Sequence, residues 1–476
     1  MFNKIQSHPL YSKLKKPEYI FAFVTLIFGL FFIAVVPPGW NSDEVGHFLR
    51  VQQIVNDGQI VASKQKMQGV EMHGGLIDTN SIRFITGYGN FTPTTGRLTN
   101  KHYLSSPLTH LHYNSTKIFT AFNPYVIYSP ITYVPYIIGT FIAKVLGLSI
   151  FEGFVLSKLF GLLTYILIVG FAIRLIPKGK WILMTICLLP TTIVQVSAFS
   201  GDSFTFSTII LFISYVLYLA YNRRPLKLRQ AIYLTVLLTC LGLVKPTYLS
   251  LAPLVLVLPI ARKDLRDRLS MARILIPVFI AAIPAAIWFK LTSGIPPSLI
   301  AFPTILPNQQ MKYVLSNPFR FARTLTVSYF GVTENGQYGH FFDFAFRNFL
   351  EDGVQFSQIY SWASIVAIVA SLGIKDRLSL KIKDTRTALA LNTFYVCQFI
   401  VVFLVINLAL YLYGTPLKDN LVVGTQARYY LPFLLLLLLP FQNVVKNQAK
   451  QKYIVLALSM FVLLGTTVAI LKFLYA

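Results

Sequence analysis

Acidic side chains are scarce in this chain: 17 Asp and Glu stand against 42 Lys and Arg in 476 residues. Charged residues of both signs amount to only 12%, roughly half the share in a typical soluble globular domain, which excludes that class. Cysteine is scarcer still. Cys187, Cys240 and Cys397 all lie inside apolar runs, so they form neither a disulfide framework nor a spaced metal set. They read as small core or lipid-facing side chains. The chain also lacks internal repeats and low-complexity tracts. After the first apolar run there is no small-x-small cleavage motif, and the run outlasts the roughly 7–15 residues of a signal-peptide core. It is expected to stay as a helix.

What the chain has instead is apolar sequence: 55% of residues are hydrophobic, and several runs reach the roughly 18–20 residues that cross a bilayer as helix. The expected fold class is an all-α polytopic membrane protein, with residues 1–476 forming one integral membrane domain and the lipid bilayer as its first partner. The net charge of +25 is not a nucleic-acid footprint. Its residues sit in short blocks between apolar runs: Lys13, Lys15 and Lys16; Lys178 and Lys180; Arg223, Arg224, Lys227 and Arg229; Arg262, Lys263, Arg266 and Arg268; Lys375, Arg377, Lys381, Lys383 and Arg386; Lys446, Lys450 and Lys452. That is the positive-inside pattern.

If every block is cytoplasmic, an even number of crossings separates each from the next. The pairs 181–200 with 203–221, 230–244 with 247–261, 272–291 with 357–374, and 388–413 with 429–442 satisfy this, and 453–472 ends outside. Before Lys178, however, there are three apolar stretches, 18–36, 125–147 and 152–176, so one must not span. "NPYVIYSPITYVPYIIGTFIAKVLG", with three prolines and four tyrosines, reads as an interfacial or re-entrant helix. The result is eleven spanning helices, the N-terminus inside and the C-terminus outside. Two large outer regions follow, 37–150 and 292–356. They hold six of the seven histidines and most of the acids. The cytoplasmic loops are too short for a catalytic domain, so any chemistry is expected outside.

The first outer region begins with "PPGWNSDEVGHFLR". Asn41 or Ser42 is placed to cap a helix ending near Gly58, on which Asp43, His47 and Arg50 share a face, with Glu44 at its edge. An ordinary capped surface helix would explain the pattern, but ionisable groups where a spanning helix leaves the bilayer are costly unless paired or used. In "GLVKPTYLSLAP", the two segments flanking Lys245 are short, and Pro246 interrupts them. Such sites hold ligands in membrane proteins, although a lysine snorkelling to the headgroups fits as well. Tyr248 lies one turn on. Arg428 in "VVGTQARYYLPF" suits bidentate phosphate contact or serves as an interfacial anchor. Asp202 in "QVSAFSGDSFTF" is explained by capping or by a role in the site. His102, His110 and His112 lack the partner spacing of a zinc site, and Glu334, His340 and Asp343 form no interpretable pattern.

The opening stretch resembles the first-loop signature of bacterial membrane proteins grouped as domain of unknown function 2142: a Pro-rich helix exit, Asp-Glu-x-x-His-x-x-Arg, and a helix closing on Gly. "YSPITYVPYIIG", "LLPTTIVQVSAFSGDSFT", "LVKPTYLSLAPLVLVLP" and "VGTQARYYLPFLLLLLLP" follow in the family's order, from about residue 37 to 440. Segment 325–345 lacks the family's Gly-Trp pair, and no role is carried over to it. That family's architecture is similar to C-type-fold glycosyltransferases, which implies a multi-helix enzyme of the bacterial plasma membrane. It would transfer sugar from a polyprenyl-phosphate donor to an extracytoplasmic glycan, polymer or lipid. Asp43 is then the expected general base and Glu44 the second choice. Lys245 and Arg428 would stabilise the leaving phosphate, while His47, Arg50, Asp202 and Tyr248 would line the substrate site. Asp43, Glu44 and His47 are the trio that would hold a divalent cation, a thin ligand set. The competing readings are a flippase for lipid-linked glycans and a non-enzymatic partner in surface-polysaccharide assembly.

Overall fold

The computed structural model describes residues 16–67, 70–89, 104–222, 224–293, 295, 305–331, 358–376, 384–442 and 450–475. His102, Glu334, His340 and Asp343 lie outside the described residues, as does most of the second large loop.

The chain is mostly helical. The first helix, α1 (Pro17–Val35), buries Phe21, Val24, Phe28 and Phe32 and exposes Phe23, Ile27 and Leu30. One apolar stripe thus faces the bundle and another faces outward, the pattern of a helix packed in lipid rather than in water. Then come α2 (Glu44–Asp57), strands β1 (Ser63–Met67) and β2 (Val70–Asp78), α3 (Thr79–Gly89), β3 (Lys117–Ala121) and α4 (Val134–Val145). The bundle continues with α5 (Ile150–Leu175), α6 (Lys180–Cys187), α7 (Pro190–Ser197), α8 (Asp202–Tyr221), α9 (Leu228–Val244) and α10 (Arg268–Thr292). The remainder comprises α11 (Pro307–Ser316), α12 (Pro318–Phe330), α13 (Gln358–Leu372), α14 (Thr385–Tyr413) and α15 (Gln451–Tyr475).

Among the described residues six helices are long and apolar enough to cross a membrane: α1, α5, α8, α10, α14 and α15. The number becomes seven if α6 and α7, bent by 59° at Pro190, count as one span. Against the eleven expected crossings, the other four segments are apolar helices of only 10–17 residues: Leu228–Val244, Pro246–Ala261, Gln358–Leu372 and Leu431–Phe441. Proline is the local cause for two of them. Pro246 and Pro253 hold residues 246–256 in 3-10 form, and Pro432 and Pro440 break up the run after Arg428.

The all-α expectation needs correction in the first loop. Antiparallel β1, β2 and β3 form a small sheet in sequence order, with Lys64 opposite His73 and Leu76 opposite Phe119. These strands were invisible to apolar periodicity because β1 is mostly polar and β2 carries the Gly74-Gly75 pair. Gly74 is required: a Cβ there would fall 1.9 Å from the Thr120 carbonyl oxygen of β3.

The stretch Pro130–Val145, expected not to span, is one of the short helical segments. Its α4 portion packs antiparallel on the first half of α5, with Gly139 against Ser157 and Tyr136 against Gly161. Ile138, Phe141 and Val145 face outward. The loop has its own core of Phe48, Val51, Phe84, Tyr133 and Tyr136, closed from below by Phe154 of α5 and by Phe199. The bundle core lies beneath it, centred on α8, which is 78% buried against 28–44% for the other long spans. Because α8 is central, its first residue, Asp202, is set in the middle of the loop-bearing face.

A Cβ at Gly139 would sit 2.5 Å from the Ser157 Cα, a backbone atom that cannot give way locally. Gly139→Val is therefore expected to pry α4 from α5 and lower the thermal unfolding midpoint of detergent-purified protein by several degrees, roughly the 1–3 kcal/mol of an overpacked contact.

Candidate functional site

Asp43 precedes α2 in a left-handed conformation, with φ of 67°. A non-glycine residue there is strained and points to a constraint from its surroundings. That constraint is electrostatic. Asp43 Oδ2 accepts from Arg428 Nη2 at 2.6 Å, and Arg428 Nη1 reaches Asp202 Oδ2 at 3.3 Å. Tyr125 donates its hydroxyl to Asp43 Oδ1 at 3.2 Å. Burial alone would push the Asp43 carboxyl up, but the Arg428 charge, His47 and the two hydrogen bonds outweigh it and hold the group at about 2. The Asp43 side chain is 37% exposed while Arg428 is buried. The carboxylate is thus the open edge of the cluster.

Lys245 lies beside this triad, between α9 and the 3-10 segment. Its ammonium sits over the rings of Tyr128 at 5.2 Å and Tyr429 at 4.9 Å, and no carboxylate lies within ion-pair distance of it among the described residues. Cation–π contact holds an ammonium without neutralising it. Arg428 stacks on the same Tyr429 ring, at 5.3 Å from its centroid. The four charged residues Asp43, Asp202, Lys245 and Arg428 therefore come together from four separate chain segments. Asp202 makes no capping bond to its own helix; its carboxylate serves Arg428 instead.

The other expected site residues turn away from the opening. Glu44, second choice as base, is 0% exposed. Its Oε2 accepts from the Gly39 and Asn41 amides, and its Oε1 accepts from Asn41 Nδ2 and the Phe199 amide at 2.7 Å. Lys158 of α5, itself 1% exposed, completes the shell at 3.4 Å. With both oxygens occupied, Glu44 is a structural node joining the α1 exit, α2 and the turn before α8. Nothing in the sequence marks Lys158, because a single lysine in an apolar helix carries no pattern. Arg50 is also fully buried and donates to Gln53 and to the Ile60 carbonyl, the latter at 2.7 Å, anchoring the exit from α2. Tyr248 is buried and donates to the Tyr429 carbonyl at 3.1 Å, so it supports the Arg428 turn from behind.

His47 shares a 2.7 Å hydrogen bond with the Tyr133 hydroxyl through Nδ1 and is packed by Tyr125, Tyr128 and Tyr133. Gly46 makes room for this cage, since a Cβ would fall 1.9 Å from the Tyr125 ring. Burial pulls the imidazole down to about 4, against the opposing pull of Asp43 and Asp202. The trio Asp43, Glu44 and His47 does not suit a metal: Arg428, backbone amides and Tyr133 already take its donors. Among the described residues no three His, Cys, Asp or Glu side chains group to hold one. His110 ends a 3-10 turn and His112 follows it, neither meeting the cluster.

The order of these segments along the chain, from the α1 exit to the Arg428 turn, matches a single family model over residues 26–437. The chain belongs to the DUF2142 family. Its description is "predicted membrane protein", and every residue of the cluster lies within the match. No curated protein and no solved structure matches this DUF2142 chain.

Two outcomes are expected. Glu44→Ala strands Lys158 in the interior and should cost ~3–5 kcal/mol, the usual penalty for breaking a buried pair, whereas Glu44→Gln paired with Lys158→Met should cost much less; thermal unfolding in detergent separates the two. Acid sensitivity should come from His47. An unfolded histidine takes up its proton near 6.5 and the folded one resists until about 4, so stability falls as pH falls through that window. His47→Gln should flatten the unfolding midpoint between pH 6.5 and 4.

Proposed function

We propose that the cluster is the active site of an inverting glycosyltransferase that uses a polyprenyl-phosphate-linked sugar and works on the outer face of the bacterial plasma membrane. The observation that carries this reading is the juxtaposition of one half-open carboxylate, Asp43, with two cations, Arg428 and Lys245. Lys245 has no carboxylate partner among the described residues. The positive-inside rule supports the placement. The basic blocks gather at the opposite ends of α5 and α8, which favours a cluster outside and an N-terminus inside. Counting the bent pair and the four short segments each as crossings gives eleven spans in this reading, with the C-terminus outside.

In this mechanism the donor phosphate enters between Lys245 and Arg428. An acceptor hydroxyl attacks the anomeric carbon as the bond from that carbon to the phosphate oxygen breaks. The leaving polyprenyl phosphate keeps the electron pair, and its growing charge is met by the two cations. The hydroxyl proton passes to Asp43. A carboxylate held at about 2 by Arg428 is a poor base, so the exchange of partners matters. When Arg428 turns from Asp43 to the phosphate, Asp43 loses its strongest stabilising charge and becomes more basic where the proton must go. The tyrosines Tyr125, Tyr128 and Tyr429 suit stacking on a sugar ring, and a neutral or polyol acceptor fits beside them better than a polyanion.

Asp43→Asn is expected to lower sugar transfer in membranes by about 10²–10⁴-fold, the usual contribution of a positioned base. Because the asparagine no longer competes for Arg428, the same variant should bind a prenyl phosphate several-fold more tightly than wild type. Arg428→Gln and Lys245→Met should bind it more weakly. Retained transfer in Asp43→Asn would remove Asp43 as the base; unchanged prenyl-phosphate binding in both cation variants would remove the donor site and favour a glycan carrier or assembly partner.

A further inference from the structure

At the end of the bundle opposite Asp43, the basic loops surround a cavity of about 510 Å³. Its walls are Phe171 and Arg174 in the last turns of α5, Lys180 at the start of α6, Tyr218 and Tyr221 at the end of α8, and Arg224 just beyond. Among the described residues no acidic one lines it. Arg174 and Arg224 are exposed, and among the described residues no carboxylate comes within ion-pair distance of either. Lys180 donates to the carbonyls of Ile173 at 3.0 Å and Arg174 at 2.5 Å. That closes the end of α5 and leaves one of three ammonium donors for a ligand.

The volume suits a small-molecule headgroup, and the three cations around it select an anion. A second feature says which kind. From the cavity toward mid-bundle, α5 exposes Phe171, Leu167 and Leu163 at four-residue spacing, one continuous outward apolar track. The deeply buried α8 packs on both α5 and α9, so its two tyrosines form the floor and not the rim. A free anion has no use for such a track; an acyl chain does.

We propose that this cavity seats the phosphate headgroup of an anionic phospholipid between Arg174, Lys180 and Arg224, with an acyl chain along Phe171, Leu167 and Leu163. The site is independent of the Asp43 cluster and stands whether or not that cluster transfers sugar.

The test is native mass spectrometry of the purified full-length protein, titrated with phosphatidylglycerol or with phosphatidylcholine of the same chain length. Phosphatidylglycerol is expected to bind in preference. Arg174→Gln with Arg224→Gln should weaken it roughly 25-fold, about fivefold per arginine. Arg174→Lys with Arg224→Lys should restore most of the loss, and Arg386→Gln, in a different basic loop, should leave binding unchanged. Equal binding of the two lipids overturns the proposal, as does a double glutamine variant that binds like wild type or like Arg386→Gln. Displacement of phosphatidylglycerol by millimolar inorganic phosphate also overturns it, because the cavity would then be a free-anion site.

Discussion

A buried guanidinium divided between two carboxylates ties the loop-bearing face together. Arg428 holds Asp43 with one nitrogen and Asp202 with another, and each partner belongs to a different part of the chain. Asp43 begins the helix that leads into the first loop, Asp202 begins the central helix, and Arg428 sits in a 3-10 turn near the other end of the sequence. Taking a charge out of water is costly unless it is paired. The pairing therefore dictates where these three segments meet. The left-handed backbone at Asp43 is the local cost of bringing its carboxylate to that meeting point.

The same economy of charge separates two kinds of acid that stand side by side in sequence. Glu44 is sealed among backbone amides and Lys158, and its work is to fix the exit of α1 to α2 and to the turn before α8. Asp43, one residue earlier, keeps an open edge. A fully bonded node next to a half-open carboxylate fixes where that carboxylate stands. The tyrosine cage around His47 extends that rigidity, and Gly46 is the close approach that lets the cage form. Behind the cations, Tyr248 plays the matching part by bonding the Tyr429 carbonyl.

Much of this was readable beforehand, for definable reasons. Long apolar runs and basic loops follow from the bilayer's demand for about 20 apolar residues per crossing and from charge placement, and they located the six long helices and the first loop. The interrupted segment at Pro246 is legible because proline has only local consequences. The sheet is not. Only β1 is mostly polar, β2 is interrupted by Gly74-Gly75, and their pairing joins residues 63–78 to 117–121 through contacts with no periodic trace. Helical spacing groups Glu44 and Arg50 with the site because it sets a side chain's direction around its own axis, not what waits in that direction.

The sequence by itself determined that this is a multi-helix membrane chain with its acids and histidines concentrated in two long loops, because hydropathy and charge are properties of each residue taken alone. It also singled out Asp43, Asp202, Lys245 and Arg428 as residues out of place in such a chain. Only the tertiary structure decided that these four belong together and that Glu44 does not belong with them. Ion pairing acts over a few ångströms in space, and the partners Asp43 and Arg428 stand 385 positions apart along the chain.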